Sequence, residues 1–278
     1  MTSEILRVIK KILPEKLFKF FQPTYHYLLS FAGALFYGFP SRKIKVIAVT
    51  GTKGKSTSVE MINTIFEEAG YQTAVASTIR FKIKSKSQRN LYKMTMPGRF
   101  VMQKFLRDAL KVKCDFAIIE MTSEGVKQFR HKFIYLDALL FTNISPEHIE
   151  SHGSFEKYLK AKLKIAEALN NSPKKDKWLV VNEDDENSQK FIDKAKNARV
   201  FSYSKKASEP IEITDNGSKF NFLGQDIESP LPGLFNVYNM LGAGMIAKCF
   251  DIDTKTIKQA LAKIHTIKGR VEKIDEGQ

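Results

Sequence analysis

Two hydrophobic periods alternate along this chain, and the places where they exchange mark its elements. Short β-branched and apolar runs recur at residues 46–49, 73–78, 115–120, 137–143 and 178–182, each of a length that suits a buried strand. Between them the apolar spacing widens to that of helices. One helix is expected from Lys55 to a stop at Gly70, one after Pro97 and Gly98 through Leu110, and one over 154–170 with Ser154 as its cap. The polar, basic stretch 81–93 reads as a hairpin or a loop. The acids Glu183 to Glu186 are placed to cap and charge a following helix. Residues 200–203, 211–214 and 220–223 read as short strands near the sheet edge, with Asn216-Gly217 as a hairpin turn. A loop over 230–233 and helices over 236–250 and 254–265 complete the pattern. Strands alternating with helices predict an α/β fold, a mostly parallel sheet with helices on both faces. In such sheets ligands bind beyond the carboxyl ends of the strands. There is no internal repeat and no long linker, so residues 41–278 read as one domain.

The segment before it, residues 1–40, has a different character. Apolar Ile5, Leu6, Val8, Ile9, Ile12 and Leu13 alternate with Arg7, Lys10 and Lys11, so residues 1–22 predict an amphipathic helix. Residues 27–39 are more continuously apolar but too short to span a bilayer, which takes about 20 residues. No small-residue cleavage site follows, which argues against a signal peptide. Packing on the domain as a helical hairpin is the expected reading, and peripheral contact with a membrane surface is the alternative.

Charge narrows the partners. Lys and Arg number 45 against 30 Asp and Glu, a formal net charge of +15, which suits anionic partners such as nucleotides and phosphorylated substrates. The lysines are dispersed along the chain and read as a solvated basic surface, so small-molecule substrates are expected and no nucleic acid. Two cysteines, Cys114 and Cys249, make neither a disulfide framework nor a four-Cys zinc site, and a reducing cytoplasm fits them.

The chemistry concentrates in residues 46–57, an apolar strand entering a turn with Gly51 and Gly54, followed by Lys55-Ser56-Thr57 at a helix start. Backbone N–H groups and the positive helix end then face one point, the arrangement that cradles phosphate. Lys55 places a cation on the outer phosphates, and Ser56 offers a hydroxyl to magnesium. The general pattern GxxxxGK[ST] has a glycine where Val49 stands; the plain alternative is an ordinary strand-to-helix turn. Glu120 ends a buried strand and reads equally as a magnesium ligand, a helix cap or an ion-pair partner. His148 reads by itself as a surface loop residue, and Thr57, Thr122 and Ser123 are neighbouring hydroxyls.

Thr50-Gly51-Thr52-Lys53-Gly54-Lys55-Ser56 resembles the ATP loop of the Mur ligases, which the folylpolyglutamate synthases share. The resemblance runs collinearly through Glu120-Met121-Thr122-Ser123, the run from Thr142-Asn143 to His148, Glu150, His152 and Gly153, then Lys162, Asn236 to Asn239, and Gly269-Arg270-Val271-Glu272. It implies ATP and Mg²⁺ as cofactors, with nucleotide contacts from Gly51, Thr52, Lys53, Gly54, Lys55, Ser56, Thr57, Asn239 and Arg270. It implies metal ligation by Ser56, Glu120, His148 and a carbamylated Lys162, and catalytic roles for Lys55, Lys162 and His148. Spacing alone does not separate Lys162 from Lys157, Lys160 or Lys164, which read as a solvated helix face.

Within the family the pattern is similar to the UDP-N-acetylmuramyl-tripeptide synthetases. The loop at Thr95, Met96 and Pro97, together with Thr122, Gln128 and Arg130, would contact the UDP-muramoyl dipeptide. Met96 stands where that group has Thr, and Glu124 where it has His. The implied reaction is ATP-driven amide formation through an acyl phosphate, in peptidoglycan precursor synthesis. The family's N-terminal UDP-binding domain and its C-terminal domain have no counterpart here. The resemblance therefore implies a fragment or a split product that binds nucleotide, turns over poorly or not at all without the missing domain, and can associate with a separate C-terminal domain. A folylpolyglutamate-synthase-like ligase is the enzymatic alternative, against which the Thr95–Pro97 loop, Gln128 and Arg130 weigh. A nucleotide-binding module without catalysis is the other.

Overall fold

The computed structural model describes residues 15–267 other than 93 and 148, together with residue 269, with side chains from residue 21 apart from that of residue 149. The first part of the expected 1–22 helix, His148 and Arg270 lie outside the described residues. Strand β1 (Lys45–Thr50) occupies the middle of an eight-stranded sheet, with its valines and isoleucines alternating between two cores. Ile47 and Val49 face one side, with Ile62 and Phe66 of α2 (Lys55–Glu68). Val46 and Ala48 face the other, with Met102 and Leu106 of α3 (Arg99–Lys111). Both faces are dry, which is why the strand reads as a continuous apolar run.

The remaining sheet strands are β2 (Thr73–Ala76), β3 (Arg80–Ile83), β4 (Lys86–Arg89), β5 (Phe116–Glu120), β6 (Ala138–Phe141), β7 (Trp178–Asn182) and β8 (Arg199–Tyr203). Their order is β4-β3-β2-β5-β1-β6-β7-β8, parallel from β2 through β8. Strands β3 and β4 form the antiparallel edge and realise stretch 81–93 as a hairpin arm. The chain moves to one side of β1 for β2 and β5 and to the other for β6 to β8. A crevice therefore opens at the carboxyl end of β1, where Val49 pairs with Glu120 and Thr50 with Phe141.

Two expectations are corrected. Residues 211–214 and 220–223 do not join the main sheet edge: β9 (Glu212–Thr214), β10 (Gly217–Phe222) and β11 (Gln225–Ser229) make a separate three-stranded antiparallel sheet. Phe220, Phe222 and Ile227 roof the core formed by α2 with α8 (Leu234–Lys248) and α9 (Thr254–Ala262). The acidic run does not cap the helix that follows, α7 (Ser188–Lys194), which starts without a side-chain cap and without an acid in its first turn. Asp185 accepts from the backbone N–H of Ile144 at 2.6 Å and Asp184 from that of Lys205 at 2.7 Å, so the acids tie loops together.

The first helix, α1 (Glu15–Phe36), packs on α3 and on the segment after α4 (Ser123–Lys127). Among the described residues no helix is long and apolar enough to cross a membrane.

Burial also sets an acid sensitivity. His131 is 2 % exposed, and burial, then the Lys132 and Lys164 charges, push its pKa down to about 3. The unfolded chain binds that proton near pH 6.5, so between these values the unfolded state holds more protons and stability falls as pH drops. A non-titrating His131→Asn chain is expected to escape about 2 kcal/mol of the destabilisation that the native chain suffers between pH 7.5 and 5. Urea midpoints at the two pH values measure it; equal losses in both proteins refute it.

Candidate functional site

The turn after β1 is shaped by what approaches it. A Cβ at Gly51 would lie 1.9 Å from Thr142 Oγ1, and one at Gly54 would lie 2.2 Å from Asn239 Oδ1. Gly54 also has φ +81°, a region that L side chains avoid. Strand β6 and its following loop clamp the turn: Thr142 Oγ1 donates to the Lys53 carbonyl at 2.8 Å, and Asn143 Oδ1 accepts from the Lys53 N–H at 2.9 Å. Val49, at the position of the motif's missing glycine, is a fully buried strand residue, so the turn begins at Gly51 instead. Helix α2 opens from Gly54 without a side-chain cap and without an acid in its first turn, leaving its N–H groups to an anion. Lys55 Nζ donates to the Thr52 carbonyl at 2.8 Å.

Glu120, at the end of β5, is 2 % exposed. Its Oε2 accepts from Ser56 Oγ at 2.9 Å, from Thr78 Oγ1 at 3.0 Å and from the Thr78 N–H at 2.8 Å. Among the described residues the hydrogen-bond donors to this buried carboxylate are neutral, an arrangement that suits a cation because hydroxyls do not cancel its charge. Among the described residues no three His, Cys, Asp or Glu side chains cluster as a metal site. The oxygen pair Ser56 and Glu120 nevertheless fits magnesium, which keeps several waters and takes further oxygens from phosphate.

Lys162 lies on α6 (Phe155–Asn170), on the stripe that also buries Tyr158, Ile165 and Leu169. It is 2 % exposed, its Nζ donates to the Gly51 carbonyl at 2.6 Å, and it sits 4.8 Å from the Tyr158 ring centroid. Burial, followed by the Lys55 charge, holds its amine well below the ordinary lysine pKa, and Glu120 and Glu147 oppose the shift. Lys157, Lys160 and Lys164 are exposed, as a solvated face requires.

These groups border one open cleft of about 960 Å³, with Thr52 to Thr57, Glu120, Lys162 and Asn239 on one side and Thr95, Met96, Thr122 and Arg130 on the other. Thr78 bridges the two halves, since its hydroxyl lies 2.7 Å from Thr95 Oγ1 as well as on Glu120. Gln128 does not border the cleft; it accepts from Arg130 Nη2 at 2.6 Å, while Arg130 Nη1 donates to the Met96 carbonyl. The Met96 side chain is 1 % exposed and packs on Gly125, so the loop is anchored by its thioether. The Thr122 hydroxyl caps α4 by accepting from the Gly125 N–H at 3.1 Å.

Glu124 meets Lys127 and His152 at 3.1 Å and Ser151 Oγ at 3.0 Å. Burial works against its charge, but the Lys127 and Ser151 hydrogen bonds hold its pKa below the usual carboxylate value. It therefore clamps α4 to α5 (Ile149–His152).

Thr78 and Tyr158 belong to the site and were not singled out from the sequence. Tyr158 had a legible signal, one turn before Lys162 on the buried stripe. Thr78 had none, since a strand-end threonine is commonplace.

Fold and site together define a phosphate-loop α/β domain with an acidic oxygen pair at the loop. More narrowly, residues 49–247 match the Mur ligase middle domain, and the chain belongs to that family. It is 31 % identical over 258 residues to a UDP-N-acetylmuramoyl-L-alanyl-D-glutamate--2,6-diaminopimelate ligase of Syntrophomonas wolfei, covering 90 % of this chain and 52 % of that protein. It is 30 % identical over 274 residues to a UDP-N-acetylmuramyl-tripeptide synthetase of Roseiflexus, covering 92 % and 54 %. A solved UDP-N-acetylmuramoyl-L-alanyl-D-glutamate--2,6-diaminopimelate ligase superposes with a TM-score of 0.73 at 27 % identity, over 82 % of this chain and 47 % of that one. The chain spans about half the length of the curated relatives it matches.

The glycine turn gives a stability test. Gly54→Ala must displace the Asn239 amide and hold an alanine at positive φ, so it is expected to cost about 1–3 kcal/mol. A urea midpoint equal to that of the native chain would show that the turn relaxes freely.

Proposed function

We propose that this chain is the nucleotide-using part of an ATP-dependent amino-acid ligase of peptidoglycan precursor synthesis, acting on UDP-N-acetylmuramoyl-dipeptide. The observation that carries the reading is the pairing of Ser56 with buried Glu120 beside Lys162, whose amine rests on the carbonyl of Gly51. The names of the relatives support the substrate class. Residues 41–278 would form the ligase's central domain, preceded by the helical segment 1–40.

In this reading Lys55 and the open N–H groups of α2 hold the phosphates of ATP in line, the main demand of phosphoryl transfer. The substrate carboxylate attacks the γ-phosphorus, giving an acyl phosphate and ADP. The incoming amine adds to the acyl carbon, and the tetrahedral intermediate expels phosphate. Magnesium at Ser56 and Glu120 would neutralise charge on the phosphates. His148 and Arg270 are carried by the resemblance as metal and nucleotide contacts.

Lys162 supports a further step. Burial and the Lys55 charge favour its neutral amine, the form that adds CO₂, releases a proton and becomes an anionic carbamate. The carbamate oxygens would complete an oxygen ligand set that an ammonium repels.

Supplied with a C-terminal domain, the chain is expected to release ADP only when UDP-muramoyl dipeptide and an accepted amino acid are both present. Glu120→Gln is expected to lower kcat/KM on the order of a hundredfold or more. Substrate-independent ADP release, or none with any amino acid of a broad panel, refutes the ligase reading. In ¹³C-bicarbonate the native chain is expected to show a carbamate carbon signal that Lys162→Met removes. No such signal, together with full turnover by Lys162→Met, overturns the carbamate.

A further inference from the structure

Helix α1 carries two apolar faces, and the domain uses one. On the inner face Ser30, Gly33 and Ala34 are buried. Ser30 Oγ lies 2.9 Å from the Phe129 carbonyl, and the Tyr27 and Phe31 rings stand 5.3 and 5.4 Å from that of Phe133. On the outer face Tyr25, Leu28, Ala32, Leu35 and Phe36 are exposed at helical spacing, with Leu28 at 58 %, Leu35 at 59 % and Phe36 at 75 %. Phe100 of α3, also exposed, extends the surface, its ring 6.3 Å from that of Phe36. Isolated exposed apolar residues are ordinary, whereas a continuous stripe of large ones marks a contact surface.

The charge of the segment's sequence selects the occupant. Residues 1–43 contain seven Lys or Arg against two Glu, a net charge of +5, and no acid occurs from residue 16 to residue 59. An aromatic and aliphatic helix face in a segment of net basic sequence matches the chemistry of an anionic bilayer surface: rings and leucines enter the interface while cations meet phosphate headgroups. Acidic partners between Glu15 and Glu60, which would repel such a surface, are missing from the sequence.

We propose that α1 lies in the plane of an anionic membrane, with Leu28, Leu35 and Phe36 inserted at the headgroup level. Helix α1 is joined to the segment that carries Gln128 and Arg130 through the contact of Ser30 Oγ with the Phe129 carbonyl. The inference stands apart from the ligase reading, and its test needs no turnover.

The full chain is mixed with vesicles of phosphatidylglycerol and phosphatidylcholine, with vesicles of phosphatidylcholine alone, and with no lipid, then sedimented. The chain is expected to pellet with the anionic vesicles and to partition about tenfold or more weakly to the zwitterionic ones. Leu28→Ser/Leu35→Ser, at exposed positions, is expected to keep the native melting midpoint and lose about tenfold or more in partitioning to anionic vesicles. Three results overturn the proposal: a native chain that stays in solution, a variant that pellets as well as the native chain, and a native dimer that the two serines convert to monomer. The second would mean diffuse attraction of a basic protein, and the third would make the stripe a contact between copies.

Discussion

The Glu120 carboxylate is the constraint around which the site is built. It is nearly inaccessible at the end of a central strand, and its hydrogen-bond partners at Oε2 are hydroxyls and one backbone N–H. Neutral donors leave the negative charge uncancelled, so the arrangement favours a cation delivered with a ligand. The parallel register makes this possible. With Val49 opposite Glu120 and Thr50 opposite Phe141, the ends of β5, β1 and β6 arrive together, and each contributes a different polar group to one crevice.

Lys162 presents the complementary case. Its neighbours Tyr158, Ile165 and Leu169 pack α6 onto the sheet, and the amine occupies a position that packing alone would give to an aliphatic side chain. Desolvation of an ammonium is unfavourable, and the nearby Lys55 charge adds to the cost, so the neutral amine is favoured. The hydrogen bond to the Gly51 carbonyl couples this helix directly to the phosphate turn.

The opposite wall of the cleft is organised by two side chains. Met96 buries its thioether against Gly125 and leaves its carbonyl to Arg130, while Glu124 gathers Lys127, Ser151 and His152. Both side chains consolidate the loops around the cleft. Thr78 then joins this wall to the phosphate side through one hydroxyl shared by Thr95 and Glu120.

Local patterning made much of this readable beforehand. A β-branched run, two glycines and Lys55-Ser56 specify a strand, a turn and a helix start within a dozen residues, because the backbone preferences involved are short-ranged. The strand-end position of Glu120 and the stop at Gly70 follow from the same kind of pattern. Strand partnership does not: residues 211–223 alternate and turn like edge strands, yet nothing local says which sheet receives them, and the roof over α8 and α9 appears only when the core closes. The roles of Asp184 and Asp185, of Thr78, and of Lys162 among its neighbouring lysines depend on groups brought from distant parts of the chain. Periodicity reports which face of an element is apolar; the meeting of particular atoms across that face is a property of packing, and packing is where the charge of Glu120 and the amine of Lys162 acquire their chemistry.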